Sequence, residues 1–125
     1  MERRRYITNE KEIKNLIIRR TDVMESVLFG KITYEEGCRQ LAEVETGKLY
    51  SDDIEKIKNC QQTDLEKTES IHFVSIEKKT GMFDKLSYIA EIKWTESYGM
   101  NVDSGTYTYD VGAQKREGEY KLTTF

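Results

Sequence analysis

The sequence predicts an α+β domain in which N-terminal helices pack on one face of a curved, four-stranded antiparallel meander. Two changes along the chain indicate this fold. In the first half, apolar residues recur every three or four positions behind capping residues, as in amphipathic helices. From residue 70 onward they recur at every second position, as in half-buried strands. Helices that precede strands in this way form one layer over an antiparallel sheet.

The chain has the size of one domain. It contains 125 residues, enough to bury a single core, and we expect one domain over residues 1–125. Within it the sequence predicts a basic N-terminal arm over residues 1–8, a helical half over 9–66 and an antiparallel sheet over 70–125. Three successive arginines from Arg3 suit either a solvated arm or a contact with an anionic partner.

The first predicted helix spans residues 10–29. Asn9, with Glu12 three residues later, suits its start, and Gly30 suits its end. Its apolar residues form a stripe at helical spacing: Ile13, Leu16, Ile17, Met24, Val27 and Leu28.

Two shorter helices follow. Thr33 and Glu36 form a capping box for the second helix, and Gly47 suits a left-handed stop after it. Ser51 suits the cap of a third helix, because the two aspartates after it would lie at the positive end of the helix dipole. The residues expected to face inward are Tyr34, Cys38, Leu41, Ala42, Ile54, Ile57, Gln61 and Leu65.

Four strands are predicted in the second half. In the segment LSYIAEIKW, every second residue from Leu86 to Trp94 is apolar, which predicts one buried and one polar face. In IHFVSIEKK the alternation is imperfect, and we expect Val74 and Ile76 on one face, with Ile71 and Phe73 on the other. The segments TYTYDV and EYKLTTF supply the last two strands, and TESYGMNVDSG is expected to be a long connection before them.

This order of elements resembles the cystatin-like and nuclear-transport-factor-like folds. The resemblance is one of topology and covers most of the chain. It implies a cone-shaped cavity or an exposed sheet face, in folds that serve enzymes, ligand carriers, secretion-channel scaffolds and lipoproteins alike. The chain lacks the Gln-Val-Gly-type loop of the cystatin inhibitors, which argues against protease inhibition.

The sequence predicts no catalytic residues, no metal site and no cofactor. His72 is the only histidine, and no glycine-rich phosphate loop or nucleophile elbow is present. Cys38 and Cys60 have no metal-ligand spacing, so we expect either two buried thiols or, in an oxidising compartment, a disulfide.

Charge and hydropathy exclude several partners. The net charge is -3, with 20 basic and 23 acidic residues interspersed, which argues against nucleic-acid binding. No apolar run reaches the roughly 20 residues that a membrane helix needs. We expect a cytoplasmic protein for the sequence as given, or an extracytoplasmic one if a leader or anchor is missing from it. The absence of proline and the abundance of Lys, Glu and Ile favour a bacterial or phage origin.

The aromatic residues are the main candidates for a binding site. In the predicted registers five of them share one sheet face, as part of the core or of a ligand- or partner-binding surface: Tyr88, Trp94, Tyr107, Tyr109 and Tyr120. A second candidate is the TESYGMN segment, in which Tyr98 and Met100 have no periodic role and suit partner anchors.

Three functions are open at this point. The first is a non-catalytic protein-interaction module, with self-association into a homodimer through the sheet as its simplest form. The second is a small-molecule-binding domain with an aromatic cavity between the first helix and the sheet. The third is the soluble domain of an envelope or conjugation/secretion protein, which the fold resemblance suggests.

Overall fold

A computed structural model describes residues 2–59, 67–82 and 84–125, with only the backbone for residues 2–8, 80 and 82. Three helices precede one open antiparallel sheet in the order β1-β2-β3-β4, which confirms the predicted α+β meander. The elements are α1 (Glu2–Leu28), α2 (Tyr34–Val44), α3 (Gly47–Asn59), β1 (Lys67–Met82), β2 (Lys85–Tyr98), β3 (Asn101–Arg116) and β4 (Glu119–Thr124).

Helix α1 begins at Glu2 rather than at residue 10. The backbone predicted to be a free arm is therefore helical, and Asn9 lies inside the helix instead of capping it. The cost of this is small, because the segment contains no glycine or proline and an interior asparagine is only mildly unfavourable. The side chains of the arginines from Arg3 lie outside the described residues. The helix ends at Leu28, and Gly30 follows with a φ of 74°, as predicted.

The capping of α2 is confirmed, whereas the start of α3 is not where the sequence indicated. Thr33 Oγ1 accepts a hydrogen bond of 3.1 Å from the amide of Glu36. Gly47 has the expected left-handed φ of 68°, but it is the first residue of α3. Ser51 therefore lies one turn inside α3, where its hydroxyl donates to the Gly47 carbonyl at 3.3 Å. Asp53 is buried, because it lies four residues before the buried Ile57 on the same face of α3.

Ala42 was predicted to face inward, but it is exposed. The buried positions of α2 are Gly37, Leu41 and Val44. Gln61 and Leu65 lie outside the described residues. At Gly37, α2 approaches α1 so closely that an added Cβ would lie 2.3 Å from Val27 Cγ2.

Strand β1 contains three β-bulges, and its Ile71, Phe73 and Ile76 lie on one face while Val74 is exposed. The extra residues of the bulges are Glu69, Val74 and Lys79. Ile71, Phe73 and Ile76 oppose Trp94, Ile92 and Ala90, so all three face the helices. The prediction that Val74 and Ile76 share a face is wrong, because the bulge at Val74 shifts the alternation by one residue.

The core lies between the helices and the inner face of the sheet. Leu86, Tyr88, Ala90, Ile92 and Trp94 of β2 are all buried, as the alternation predicts. They form one cluster with residues of the three helices and of β3 and β4, among them Ile13, Ile17, Leu41, Val44, Ile57, Val111 and Leu122.

The predicted connection over residues 95–105 is instead a continuation of β2 and β3. The two strands pair without interruption as far as Tyr98 and Asn101, and the turn between them contains Gly99, whose φ is 60°. Strand β4 pairs only with Gly112–Arg116, so the distal part of this hairpin extends beyond β4. Its β3 residues from Asn101 to Thr108 are exposed, except for the half-buried Gly105.

Candidate functional site

The five predicted aromatic residues lie on the helix-facing side of the sheet, but they differ in burial. Tyr88 is fully buried and belongs to the core. Tyr120 of β4 is half-buried, with Lys115 Nζ 5.6 Å from its ring centre. Trp94 is 9% exposed and Tyr109 is half-buried, whereas Tyr107 is 59% exposed. Tyr88 is therefore a core residue, whereas Trp94, Tyr107 and Tyr109 lie at or near the surface.

These three residues form one side of a groove between α1 and the sheet. The groove has a volume of about 290 Å³. We call it the aromatic groove and define it by Thr21 and Met24 of α1, Trp94 of β2, Tyr107 and Tyr109 of β3, and Phe125. It lies between the first helix and the sheet, and it is an open groove rather than an enclosed cavity.

Contacts between the rings fix the wall of the groove. Trp94 Nε1 donates a hydrogen bond of 2.8 Å to the Tyr109 hydroxyl, and the two rings meet edge to face at 6.3 Å. Tyr109 in turn stacks on Phe125, with ring centres 4.6 Å apart and an interplanar angle of 8°. Burial raises the pKa of Tyr109, although the hydrogen bond from Trp94 opposes that rise. The Tyr109 hydroxyl therefore stays protonated at neutral pH.

Arg20 connects this wall to the helices. Its guanidinium carbon lies 5.0 Å from the centre of the Phe125 ring, a cation–π distance. Its Nε and Nη2 donate hydrogen bonds of 2.6 and 2.8 Å to the two carboxylate oxygens of Asp53 on α3. The Asp53 side chain is fully buried, so the positive charge of Arg20 is compensated inside the protein.

Glu45 is a second buried acid beside Arg20. Its Oε2 lies 3.3 Å from Arg20 Nε, which already donates to Asp53. Among the described residues, no donor makes a well-directed hydrogen bond to either Glu45 oxygen. Burial and the neighbouring Asp53 carboxylate together raise the pKa of Glu45 to about 9, against the opposing charge of Arg20. This carboxyl group is therefore neutral at pH 7.

Two more acids line the groove next to the rings, Glu25 and Glu96. Glu25 Oε1 accepts a hydrogen bond of 2.5 Å from the amide of Thr68, which joins α1 to β1. The groove therefore combines aromatic walls with two carboxylates and with the guanidinium of Arg20, whose charge Asp53 compensates, a surface that suits an apolar group next to a positive charge.

The second predicted site is at the tip of the β2–β3 hairpin. Met100 is fully exposed and Tyr98 is 48% exposed. Both flank the turn at Gly99, and neither lines the aromatic groove. The structure therefore separates the two groups of residues that the sequence singled out.

Sequence reasoning missed Arg20, Asp53 and Phe125. The first two were detectable, because Arg20 occupies the gap in the apolar stripe of α1 between Ile17 and Met24. Asp53 likewise lies one turn before Ile57 on the inner face of α3. A charged residue on each of two apolar stripes indicates a buried ion pair. Phe125 carries no such signal, since it follows the last strand as a single residue.

The histidine and the described cysteine do not line the aromatic groove. His72 is exposed on the outer face of β1, opposite Lys93. Cys38 is a half-buried free thiol, and Cys60 lies outside the described residues. Within residues 2–59, 67–82 and 84–125, no three His, Cys, Asp or Glu side chains lie close enough together to hold a metal ion. No helix in the same ranges is long and apolar enough to cross a membrane.

Comparisons of the chain with protein-family models, curated proteins and solved structures gave no match. The resemblance to cystatin-like and nuclear-transport-factor-like folds stays a prediction, as does a role in the envelope or in conjugation.

Proposed function

We propose that this protein is a non-catalytic interaction module whose aromatic groove holds an apolar side chain of a partner protein. The main support is the arrangement of Trp94, Tyr109 and Phe125. A hydrogen bond and ring stacking hold these three side chains in place, and all three border an open groove. Rings held in this way lose little conformational entropy on binding, which is why aromatic residues dominate binding hot spots.

The size and charge of the groove indicate what kind of partner would bind. A volume of about 290 Å³ is at the lower limit for small-molecule sites, which span roughly 300–1,000 Å³. One aromatic or aliphatic side chain fills such a space. Glu25 and Glu96 would favour a lysine or arginine next to that anchor, as charges of opposite sign steer association. Among the described residues that line the groove, none is a histidine, cysteine or serine.

The only tryptophan of the chain lies in the groove, so its fluorescence can test this proposal. Peptides are selected from a random phage-displayed library on the immobilised protein and titrated against it in solution. We expect enriched peptides to carry an aromatic or leucine residue beside Lys or Arg, and to shift the emission of Trp94 on binding.

Two matched variants locate the site. Tyr107→Ala removes an exposed ring from the groove, whereas Tyr98→Ala removes a similarly exposed ring from the hairpin tip. We expect the first variant to weaken peptide binding about tenfold or more, which corresponds to about 1.4 kcal/mol, and the second to leave it unchanged. The opposite pattern would place the site at the hairpin tip, and equal binding by all three proteins would exclude both.

A small-molecule-binding function is a second candidate, favoured by the partial enclosure of the groove by Trp94, Tyr109 and Phe125. Ligand-observed NMR with a library of aromatic amines and neutral aromatic fragments would test it. We expect hits to prefer the amines, because of the groove carboxylates, and to be displaced by the selected peptides. Hits that neither shift Trp94 emission nor compete with the peptides would argue against this function.

A further inference from the structure

Strand β3 has an open edge in its distal part. Strand β4 pairs with β3 only at Gly112–Arg116, and Phe125, which follows β4, stacks on Tyr109. Among the described strands, none pairs with the Asn101–Asp110 segment on the side away from β2. Its backbone amides and carbonyls on that side are therefore available to another strand.

The two edges of the sheet differ in how they are protected. On the outer strand β1, the bulges at Glu69, Val74 and Lys79 interrupt any regular ladder. The segment NVDSGTYTYD of β3 has no bulge against β2 and contains no lysine, arginine or proline. Bulges, lysines and prolines are the usual means by which proteins prevent edge pairing. The Asn101–Asp110 edge of β3 has none of these three, and its charged residues are Asp103 and Asp110.

We propose that residues Val102–Asp110 of β3 pair antiparallel with the same segment of a second copy, about a two-fold axis at Thr106. The two sheets then become one continuous sheet. This inference goes beyond the proposed function, since it uses the strand edge and not the aromatic groove.

The side chains of this segment are complementary to themselves in that register. On the outer face, Thr106 would oppose Thr106 of the second copy, and Ser104 would oppose Thr108. Pairs of hydroxyl residues across antiparallel strands are favourable. On the inner face, Tyr107 would oppose Gly105, which has no side chain to displace the ring. In the isolated chain the Tyr107 ring already lies over Gly105, where an added Cβ would come within 2.9 Å of it.

Charge supports the same register. The segment carries two acids, Asp103 and Asp110. With the axis at Thr106, Asp103 would oppose Tyr109 and Asp110 would oppose Val102, so the like charges do not face each other across the new ladder. The side chains of this segment thus complement those of the same segment in this register. We therefore infer that the strand beside β3 belongs to a second copy of the chain.

Concentration-dependent mass measurements test the proposal. The wild-type chain, Thr106→Lys and His72→Lys are compared by light scattering on a sizing column and by sedimentation velocity, up to the highest soluble concentration. Thr106→Lys would place two ammonium groups on directly opposed residues, whose Cα atoms are only about 4.5–5.5 Å apart. His72→Lys is the matched control, because Lys93 of β2 lies opposite both positions and His72 is exposed on the bulged β1 edge.

We expect a micromolar dimer for the wild type and for His72→Lys, and a monomer for Thr106→Lys. A wild type that is monomeric throughout, or a Thr106→Lys variant that still dimerises, would overturn the inference. The result is separable from that for the groove, because monomeric Thr106→Lys should retain the response of Trp94 to the selected peptides.

A cysteine scan tests the register. In a background of Cys38→Ser and Cys60→Ser, Thr106→Cys would bring two thiols face to face at a separation that a disulfide can span. Val102→Cys would face Asp110 instead. With oxidised glutathione as oxidant, we expect a covalent dimer for Thr106→Cys and little for Val102→Cys. Equal crosslinking of both, or of neither, would contradict this register.

Discussion

Arg20 of α1 and Asp53 of α3 form a buried, bidentate ion pair with hydrogen bonds of 2.6 and 2.8 Å. The pair fixes the two helices against each other and orients the guanidinium towards Phe125. The shape of the aromatic groove, which Arg20 also lines, thus depends on a contact with a residue outside it.

Asp53→Ala should destabilise the protein strongly. The substitution leaves the guanidinium of Arg20, whose side chain is 11% exposed, without its main partner. Loss of one member of a buried pair costs about 3–5 kcal/mol, which urea unfolding would measure. Glu43→Ala is the control, since it removes only exposed pairs with Arg19 and Arg39, worth about 0–1 kcal/mol. Similar losses in both variants would show that burial does not govern the contribution of Asp53.

Stability should fall as pH rises, because of Glu45. The native state holds the proton of Glu45 up to a pKa of about 9, whereas the unfolded chain releases it near the ordinary value of 4.5. Between these limits the native state binds more protons, so the free energy of unfolding decreases with rising pH, by at most about 1.4 kcal/mol per unit. Glu45→Gln stays neutral and should remove this slope. The check is urea unfolding of both proteins between pH 5 and 9; parallel slopes would contradict the assignment.

Tyr109→Phe should perturb the groove without unfolding the domain. Trp94 Nε1 would lose its acceptor at 2.8 Å, at a cost of about 1 kcal/mol. We expect a changed emission maximum for Trp94, since the indole would lose its polar partner. Tyr107→Phe keeps the ring of an exposed tyrosine and should leave the emission as in the wild type. An unchanged spectrum in Tyr109→Phe would argue against the hydrogen bond.

Gly37→Ala should destabilise the protein, although alanine is the better helix former by about 1 kcal/mol. The added methyl group would collide with Val27, 2.3 Å away, where α1 and α2 approach most closely. We expect a net loss of about 1–3 kcal/mol by thermal or urea unfolding. Val27→Ala in the same chain should recover part of the loss. If Gly37→Ala stabilises the domain, the close approach is wrong.

Helices and strands were predictable from the sequence wherever one face of the element is buried and the other faces solvent. Strand β2 shows this best, because its ladder with β3 is unbroken and its alternating residues meet a covered and an open side. The same contrast is missing over residues 95–105. Most residues in that part of the hairpin are exposed, so its strands are polar and resembled a loop.

Other errors arose where the backbone departs from its ideal period. The bulge at Val74 moved Ile76 to the face of Phe73, which alternation alone does not reveal. Gly47 offered a left-handed residue equally suited to ending one helix or preceding another. For the groove, pattern placed Trp94, Tyr107 and Tyr109 on one face. Phe125 and Arg20 reach them only through tertiary packing, which a linear pattern does not contain.

The repeated bulges also determine where this chain can change in length. Each adds one residue to β1 without altering which side chains face the helices on either side of it. Loss of Val74 would turn that part of β1 into an ordinary strand, with Phe73 and the present Ile76 still pointing inward. By contrast, one residue lost from β2 would turn half of its core residues to water. Indels in relatives of this protein should therefore concentrate in β1.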